Sequence, residues 1–106
     1  MNLQDGQVFK AILITRGRKT GNPHAVELRA IYYNKRTYFS RRNSNSDWLR
    51  NAVVNPDVIV EYNNESHTGK ALIVTDEDLT KKISYLKYSD KRSEEARIVL
   101  EVRLCE

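Results

Sequence analysis

Between Val8 and Ile14 the chain is almost continuously apolar, a short run that predicts a strand buried on both faces. From His24 the pattern alternates instead. Val26, Leu28, Ala30 and Tyr32 fall on one side and Glu27, Arg29 and Ile31 on the other, which predicts a half-buried strand ending at Tyr33. Asn34-Lys35-Arg36 reads as a hairpin turn into a third strand, Thr37 to Ser40. A polar loop from Arg41 to Ser46 then opens a short helix, with Ser44 and Asp47 at the spacing of a capping box. Trp48 with Ala52, and Leu49 with Val53, are expected on the buried side of that helix, and Asn55-Pro56 ends it. Val58, Val60 and Tyr62 alternate again. Asn63-Asn64-Glu65 turns the chain, and Thr68 to Val74 returns as a strand.

The second helix carries the clearest signals. Thr75 is its expected cap, with Asp76, Glu77 and Asp78 at the positive end of the helix dipole. Lys81, Lys82 and Lys87 lie toward the other end, and Leu79, Ile83 and Leu86 form the apolar stripe. Ile98, Leu100, Val102 and Leu104 alternate with Val99, Glu101 and Arg103 in a closing strand. The order β-β-β-α-β-β-α-β, joined mostly by hairpins, predicts a mainly β (β+α) chain. Its six largely antiparallel strands would close or half-close into a small barrel with two short helices.

Composition narrows this picture. The 106 residues have room for one core, so residues 1–106 are expected to form a single domain. Apolar residues at 40% and charged residues at 30% fit a folded, soluble chain. No apolar run approaches the ~20 residues of a membrane helix, and the first six residues lack the features of a signal peptide. No membrane partner is expected. Cys105 is the one cysteine, which points to a reducing, cytoplasmic location.

Charge becomes informative in the connection from Thr15 to His24. Arg16, Arg18 and Lys19 crowd into a turn that also holds Gly17, Gly21 and Pro23. Glycine and proline account for the chain reversal, but not for three neighbouring cations, which repel one another unless an anion sits among them. Exposed amides beside Arg and Lys make a phosphate cradle. The bland reading is a hairpin charged for solubility. The Arg41 to Ser46 loop strengthens the other one, because it runs into a helix whose free amides attract anions.

Hydrolytic and metal chemistry have little to build on. C-x-x-C, H-E-x-x-H, G-x-S-x-G and the common nucleotide loops are all absent, and His24 and His67 stand apart in sequence. No metal site is expected and no catalytic side chain can be named. An enzyme of this composition needs an organic cofactor.

Two segments carry a resemblance. Arg16-Gly17-Arg18-Lys19-Thr20-Gly21-Asn22-Pro23 resembles the Thr-Gly-Arg-Lys-Ser/Thr-Gly-x-Pro signature of the deazaflavin-dependent nitroreductase family. Trp48-Leu49-Arg50-Asn51-Ala52-Val53-Val54-Asn55-Pro56 resembles that family's Trp-Tyr-x-Asn-Leu-x-x-Asn-Pro helix. The likeness covers about residues 8 to 104, with specific motifs up to about Tyr62. It implies the split β-barrel fold of FMN-binding, pyridoxamine-phosphate-oxidase-like proteins. It also implies coenzyme F420, a flavin analogue with a lactyl-phosphate and oligoglutamate tail.

By that resemblance Arg18 and Lys19 hold the phosphate or tail, with Arg16, Thr20 and His24 beside them. Ser40, Arg41, Trp48 and Asn51 lie near the cofactor. Leu49 stands where the family has Tyr, and Arg16 where it has Thr. Tyr85 and Tyr88 are candidates for the substrate side.

The implied function is hydride transfer from the reduced deazaflavin to a small-molecule electron acceptor: a quinone-like, nitro or other conjugated compound. FMN is the alternative cofactor, since the fold accepts both. A non-catalytic cofactor carrier is a further alternative. A nucleic-acid module using Arg16, Arg18, Lys19, Arg41 and Arg42, with Tyr38 or Trp48 for stacking, is disfavoured by a net charge of only +4. A homodimer is the favoured assembly, because a shared cleft would cover an otherwise open ring.

Overall fold

A computed structural model describes residues 3–41, 46–87 and 97–105. Its elements follow the expected order: β1 (Gln7–Arg16), β2 (Pro23–Tyr33), β3 (Arg36–Arg41), α1 (Asp47–Val54), β4 (Asp57–Tyr62), β5 (Glu65–Ile73), α2 (Glu77–Lys87) and β6 (Ile98–Leu104). The strands form a closed barrel in the order β1-β2-β3-β6-β5-β4, and every pairing is antiparallel. Closure comes from β1 against β4, where Ile12, Leu13 and Ile14 face Glu61, Val60 and Ile59. Two hairpins use the turn that right-handed strand twist favours. Asn34 and Lys35, and Asn63 and Asn64, all adopt positive φ.

The period-two pattern explains the core. Phe9, Ala11, Leu13, Ala30, Phe39, Val58, Val60, Leu100 and Val102 point into the barrel, and α1 adds Trp48, Leu49 and Ala52 to the same cluster. Each large side chain buried this way contributes about 1.5–3 kcal/mol. A second cluster lies outside the barrel, where Ile83 of α2 packs on Ile31, Tyr38 and Val99. The alternate residues of β2, β3 and β6 therefore have a use on both faces.

Four local expectations are corrected. The run from Val8 to Ile14 is buried on one face only. Phe9, Ala11 and Leu13 are buried, Val8 is exposed, and Ile12 and Ile14 are half-buried on the outer surface. Its apolar outer residues are explained across strands, since Ile14 pairs with Ile59 of β4.

Val53 does not share the buried side of α1 with Leu49. It is exposed, because Asn51 occupies the buried arc together with Trp48, Leu49 and Ala52. The cap of α1 is Ser46, whose side chain makes no capping hydrogen bond, while the expected Ser44 lies outside the described residues. The cap of α2 is Asp76 rather than Thr75. Its Oδ1 accepts from the N–H groups of Asp78 (2.9 Å) and Leu79 (3.3 Å), a charge-assisted arrangement at the positive helix end.

One buried polar network was not anticipated. The Glu101 carboxylate is 4% exposed. It accepts from the Tyr38 hydroxyl at 2.9 Å and from Arg103 Nε at 2.8 Å, and Arg36 Nη1 lies 3.6 Å away. Tyr38 and Glu101 are register partners on β3 and β6, so the bond ties two strands distant in sequence. Burial, and then the Glu101 hydrogen bond, push the Tyr38 phenol up to about 12.

Candidate anion cradle between the first hairpin and helix α1

The connection from β1 to β2 is held tightly. The Gly17 N–H donates to the Asn22 carbonyl (2.8 Å), and the Gly21 N–H to the Gly17 carbonyl (2.8 Å). Gly21 has φ +75°, a conformation that suits glycine. The Asn22 N–H donates to Thr20 Oγ1 at 3.2 Å. Arg18 and Lys19 are carried at the tip of this loop.

Helix α1 then grips the turn through two asparagines one helical turn apart. The Asn51 Oδ1 accepts from the backbone N–H of Arg18 (3.2 Å) and from its Nη1 (2.8 Å). Asn51 Nδ2 reaches Thr15 Oγ1 at 3.5 Å, and Asn55 Nδ2 reaches the Arg16 carbonyl at 3.5 Å. The second guanidinium nitrogen of Arg18 lies 3.5 Å from Asp47 Oδ1. Arg18 is thus fixed before any ligand arrives.

A cavity of about 190 Å³ opens beside it, lined by Gly17, Arg18, Lys19, Thr20, His24, Asp47 and Asn51. That is below the roughly 300–1,000 Å³ of a site for a whole drug-sized molecule. It suits one anionic group. A Cβ at Gly17 would come within 2.9 Å of both His24 Nε2 and Thr20 Oγ1, so the missing side chain is part of the space. The donor set fits a phosphate or carboxylate: a guanidinium, an ammonium, a hydroxyl, an imidazole and an amide. Asp47 opposes an anion. Its side chain is 84% exposed and faces Arg18, so the opposition is screened.

Of the expected residues, the cavity brings together Arg18, Lys19, Thr20, His24 and Asn51. Arg16 lies elsewhere. As the last residue of β1 it lines a separate cavity of about 560 Å³ with Ile14, Pro23, Asp57 and Cys105. Trp48 is buried in the barrel core, edge-to-face with Phe39 at 6.3 Å. Tyr38 is buried as well, so neither ring is presented to a base.

Arg41 is exposed and donates through Nε to Ser46 Oγ at 2.7 Å, just ahead of Asp47. Ser40 is buried beneath α2 and accepts from Lys87 Nζ at 3.0 Å. Burial, followed by the charges of Arg97, Arg29 and Arg41, pulls the Lys87 ammonium down to about 8. Tyr85 is 62% exposed on α2, away from the cradle lining. Tyr88 and Arg42 lie outside the described residues.

Sequence reasoning missed Gly17, Asp47, and the buried Lys87. The first two could have been found from their adjacency to Arg18 and Trp48. Nothing in the local pattern marks Lys87 as buried. Among the described residues no cluster of three or more His, Cys, Asp or Glu side chains could hold a metal ion, and no helix is long and apolar enough to cross a membrane.

No curated protein matches the chain. A solved structure described as an F420-H2 dependent reductase (FDR-A) is similar with TM-score 0.68 and 18% identity, covering 96% of this chain and 98% of that one. A putative pyridoxamine 5'-phosphate oxidase from Listeria innocua is similar with TM-score 0.68 and 17% identity, over 92% and 84% of the two chains. A third, described as a domain-swapped dimer, has TM-score 0.69 and 18% identity, over 96% and 84%.

These likenesses show the fold, a split β-barrel. A family model described as F420H(2)-dependent quinone reductase matches residues 2–97. With nearly the whole chain matched, the protein belongs to the F420H(2)-dependent quinone reductase family, and is a deazaflavin-dependent oxidoreductase whose cofactor is coenzyme F420.

Proposed function

We propose that the Gly17 to His24 cradle holds the anionic tail of coenzyme F420, and that the protein reduces a conjugated small molecule of the quinone class. The observation that carries this reading is the immobilised Arg18, pinned by Asn51 and Asp47 over a space that Gly17 leaves open. Arg18 and Lys19 supply charge, Thr20 and His24 supply hydrogen bonds, and Asn51 sets the guanidinium's direction. Bound in its reduced form, the deazaflavin supplies a hydride; with one proton from water, that hydride balances reduction of a quinone to the hydroquinone.

The chain's own contribution is positional. A cradle fixed in advance loses little entropy on binding and would hold the cofactor's tail in one orientation. Guanidinium and ammonium groups nearby also favour the negative charge that develops on an acceptor oxygen. Hydride transfer to a quinone requires no described side chain to donate or remove a proton at carbon. A homodimer sharing a cleft, in the reducing cytoplasm that the exposed Cys105 favours, belongs to the same reading.

Consumption of reduced F420 in the presence of menadione tests it. Turnover that stops when menadione is omitted supports the reductase. Tight cofactor binding without turnover, across quinone and nitro acceptors, would make the protein a carrier.

A further inference from the structure

The outer surface of α1 is unusual for a short exposed helix. Val53 and Val54, in its last turn, are 58% and 59% exposed. β-branched residues there lose rotamer freedom in the helix and gain no burial in return. They are not scattered. With Leu49, Ile73 and Ile98 they line an open trough of about 680 Å³, which Arg18 and Arg50 complete. That volume lies within the roughly 300–1,000 Å³ of small-molecule sites. Arg18 also lines the anion cradle, so the two compartments share one wall.

We propose that this trough is the acceptor pocket, and that it takes a flat, apolar, conjugated carbonyl compound. The ring lies on Val53, Val54, Ile73 and Ile98, with a carbonyl oxygen toward Arg18 or Arg50. The assignment rests on the cofactor reading above. Charge complementarity selects the occupant. A cation meets two guanidiniums, and a plain hydrocarbon leaves Arg50 without an oxygen. An apolar plane edged with carbonyl oxygens satisfies floor and rim together.

Asn51 and Asp47 hold Arg18 in the wall between the cradle and the trough. Arg50 is exposed at the rim of the trough, where a ligand oxygen can reach it. Val53 and Val54 then decide which acceptors fit, a role separate from holding the cofactor.

The test uses cofactor-free protein and duroquinone, whose fully methylated ring cannot alkylate the exposed Cys105. Trp48, the one tryptophan of the chain, neighbours Leu49 of the trough and reports binding by fluorescence quenching. Saturable quenching is expected in the wild type. Val53→Asp and Val54→Asp place a charge on the apolar floor at exposed positions that tolerate it, and each should weaken duroquinone binding about tenfold or more. Affinity for F420 should stay within about twofold, since neither valine lines the cradle.

Unchanged duroquinone affinity in both variants overturns the proposal. So does a parallel loss of F420 affinity, which would give the trough to the cofactor. A dimer that Val53→Asp dissociates, with duroquinone affinity intact, would give the valines to a second copy and overturn it too. Duroquinone binding by a wild type that ignores F420 upholds the trough and sinks the cofactor reading instead.

Discussion

The Asn51 carboxamide oxygen accepts from both the backbone N–H and the guanidinium of Arg18, at 3.2 and 2.8 Å. One side chain on α1 therefore fixes where the β1–β2 turn sits and where its principal cation points. Asn51 is only 3% exposed, so its loss leaves buried polar groups without partners. Asn51→Ala should cost about 1–3 kcal/mol of stability and weaken F420 binding as well. Asn51→Asp retains an acceptor oxygen and should recover most of the stability. Thermal melts of the pair check this; equal melting temperatures for Ala and wild type would refute the grip of α1 on the turn.

Arg18 and Lys19 should separate two effects. Both are expected to hold the cofactor's anionic tail, so Ala at either position should weaken F420 by roughly 1.5–3 kcal/mol. Only Arg18 also ties the turn to Asn51 and Asp47. Arg18→Ala should thus lower the melting temperature, while Lys19→Ala, at an exposed site, should change stability by less than about 0.5 kcal/mol. Equal F420 affinity in Lys19→Ala would remove that residue from the cradle.

Gly17→Ala probes the space itself. The added methyl group meets the ends of two side chains, His24 and Thr20, which can shift without unfolding the turn. Stability should change little. F420 affinity should fall by about 1–2 kcal/mol, because the methyl and the displaced side chains occupy the cavity. A titration of this variant beside a melt distinguishes cradle from ordinary hairpin.

Lys87 makes stability depend on pH in a defined direction. Its ammonium titrates at about 8 in the fold, against 10.5 for an unperturbed lysine. Because the folded value is lower, the unfolded chain holds the proton more strongly between these limits. The group opposes folding in full below about pH 8, and the penalty fades as pH rises toward 10.5. Lys87→Met should be more stable than wild type near neutrality, by at most about 2–3 kcal/mol. The gap should close at alkaline pH. Melting temperatures of both proteins across this range decide it; a constant or widening gap contradicts the burial argument.

The barrel was legible because its strands alternate. Val26, Leu28 and Ala30, or Leu100 and Val102, mark their inward face without help from any other part of the chain. Where the reading failed, a polar residue had taken an apolar place, or an apolar residue faced outward beside another strand. Asn51 holds a buried position on α1, so Val53 turns to solvent. Ile14 is apolar outside the barrel because Ile59 lies opposite it. Asp76 displaces Thr75 as a cap because a carboxylate is the stronger acceptor.

The cradle was legible to a similar degree. Residues just beyond the last β1 position, Arg18 to Thr20, line one cavity with His24 and Asn51. Arg16 is still within the strand, and its side chain alternates away from Arg18's cavity toward a different one. Ser40 and Trp48 are near in sequence to the polar loop, but strand and helix periodicity turn both inward. Lys87 could not be placed under α2 until the barrel was closed.

The central claim is that this turn binds a deazaflavin tail. Equilibrium titration of the wild-type protein with oxidised coenzyme F420, and in parallel with FMN, tests it most directly. The account predicts saturable F420 binding near micromolar affinity, weakened by salt and tighter than FMN. No saturable F420 binding, or an affinity that Lys19→Ala and Gly17→Ala both leave unchanged, would contradict it.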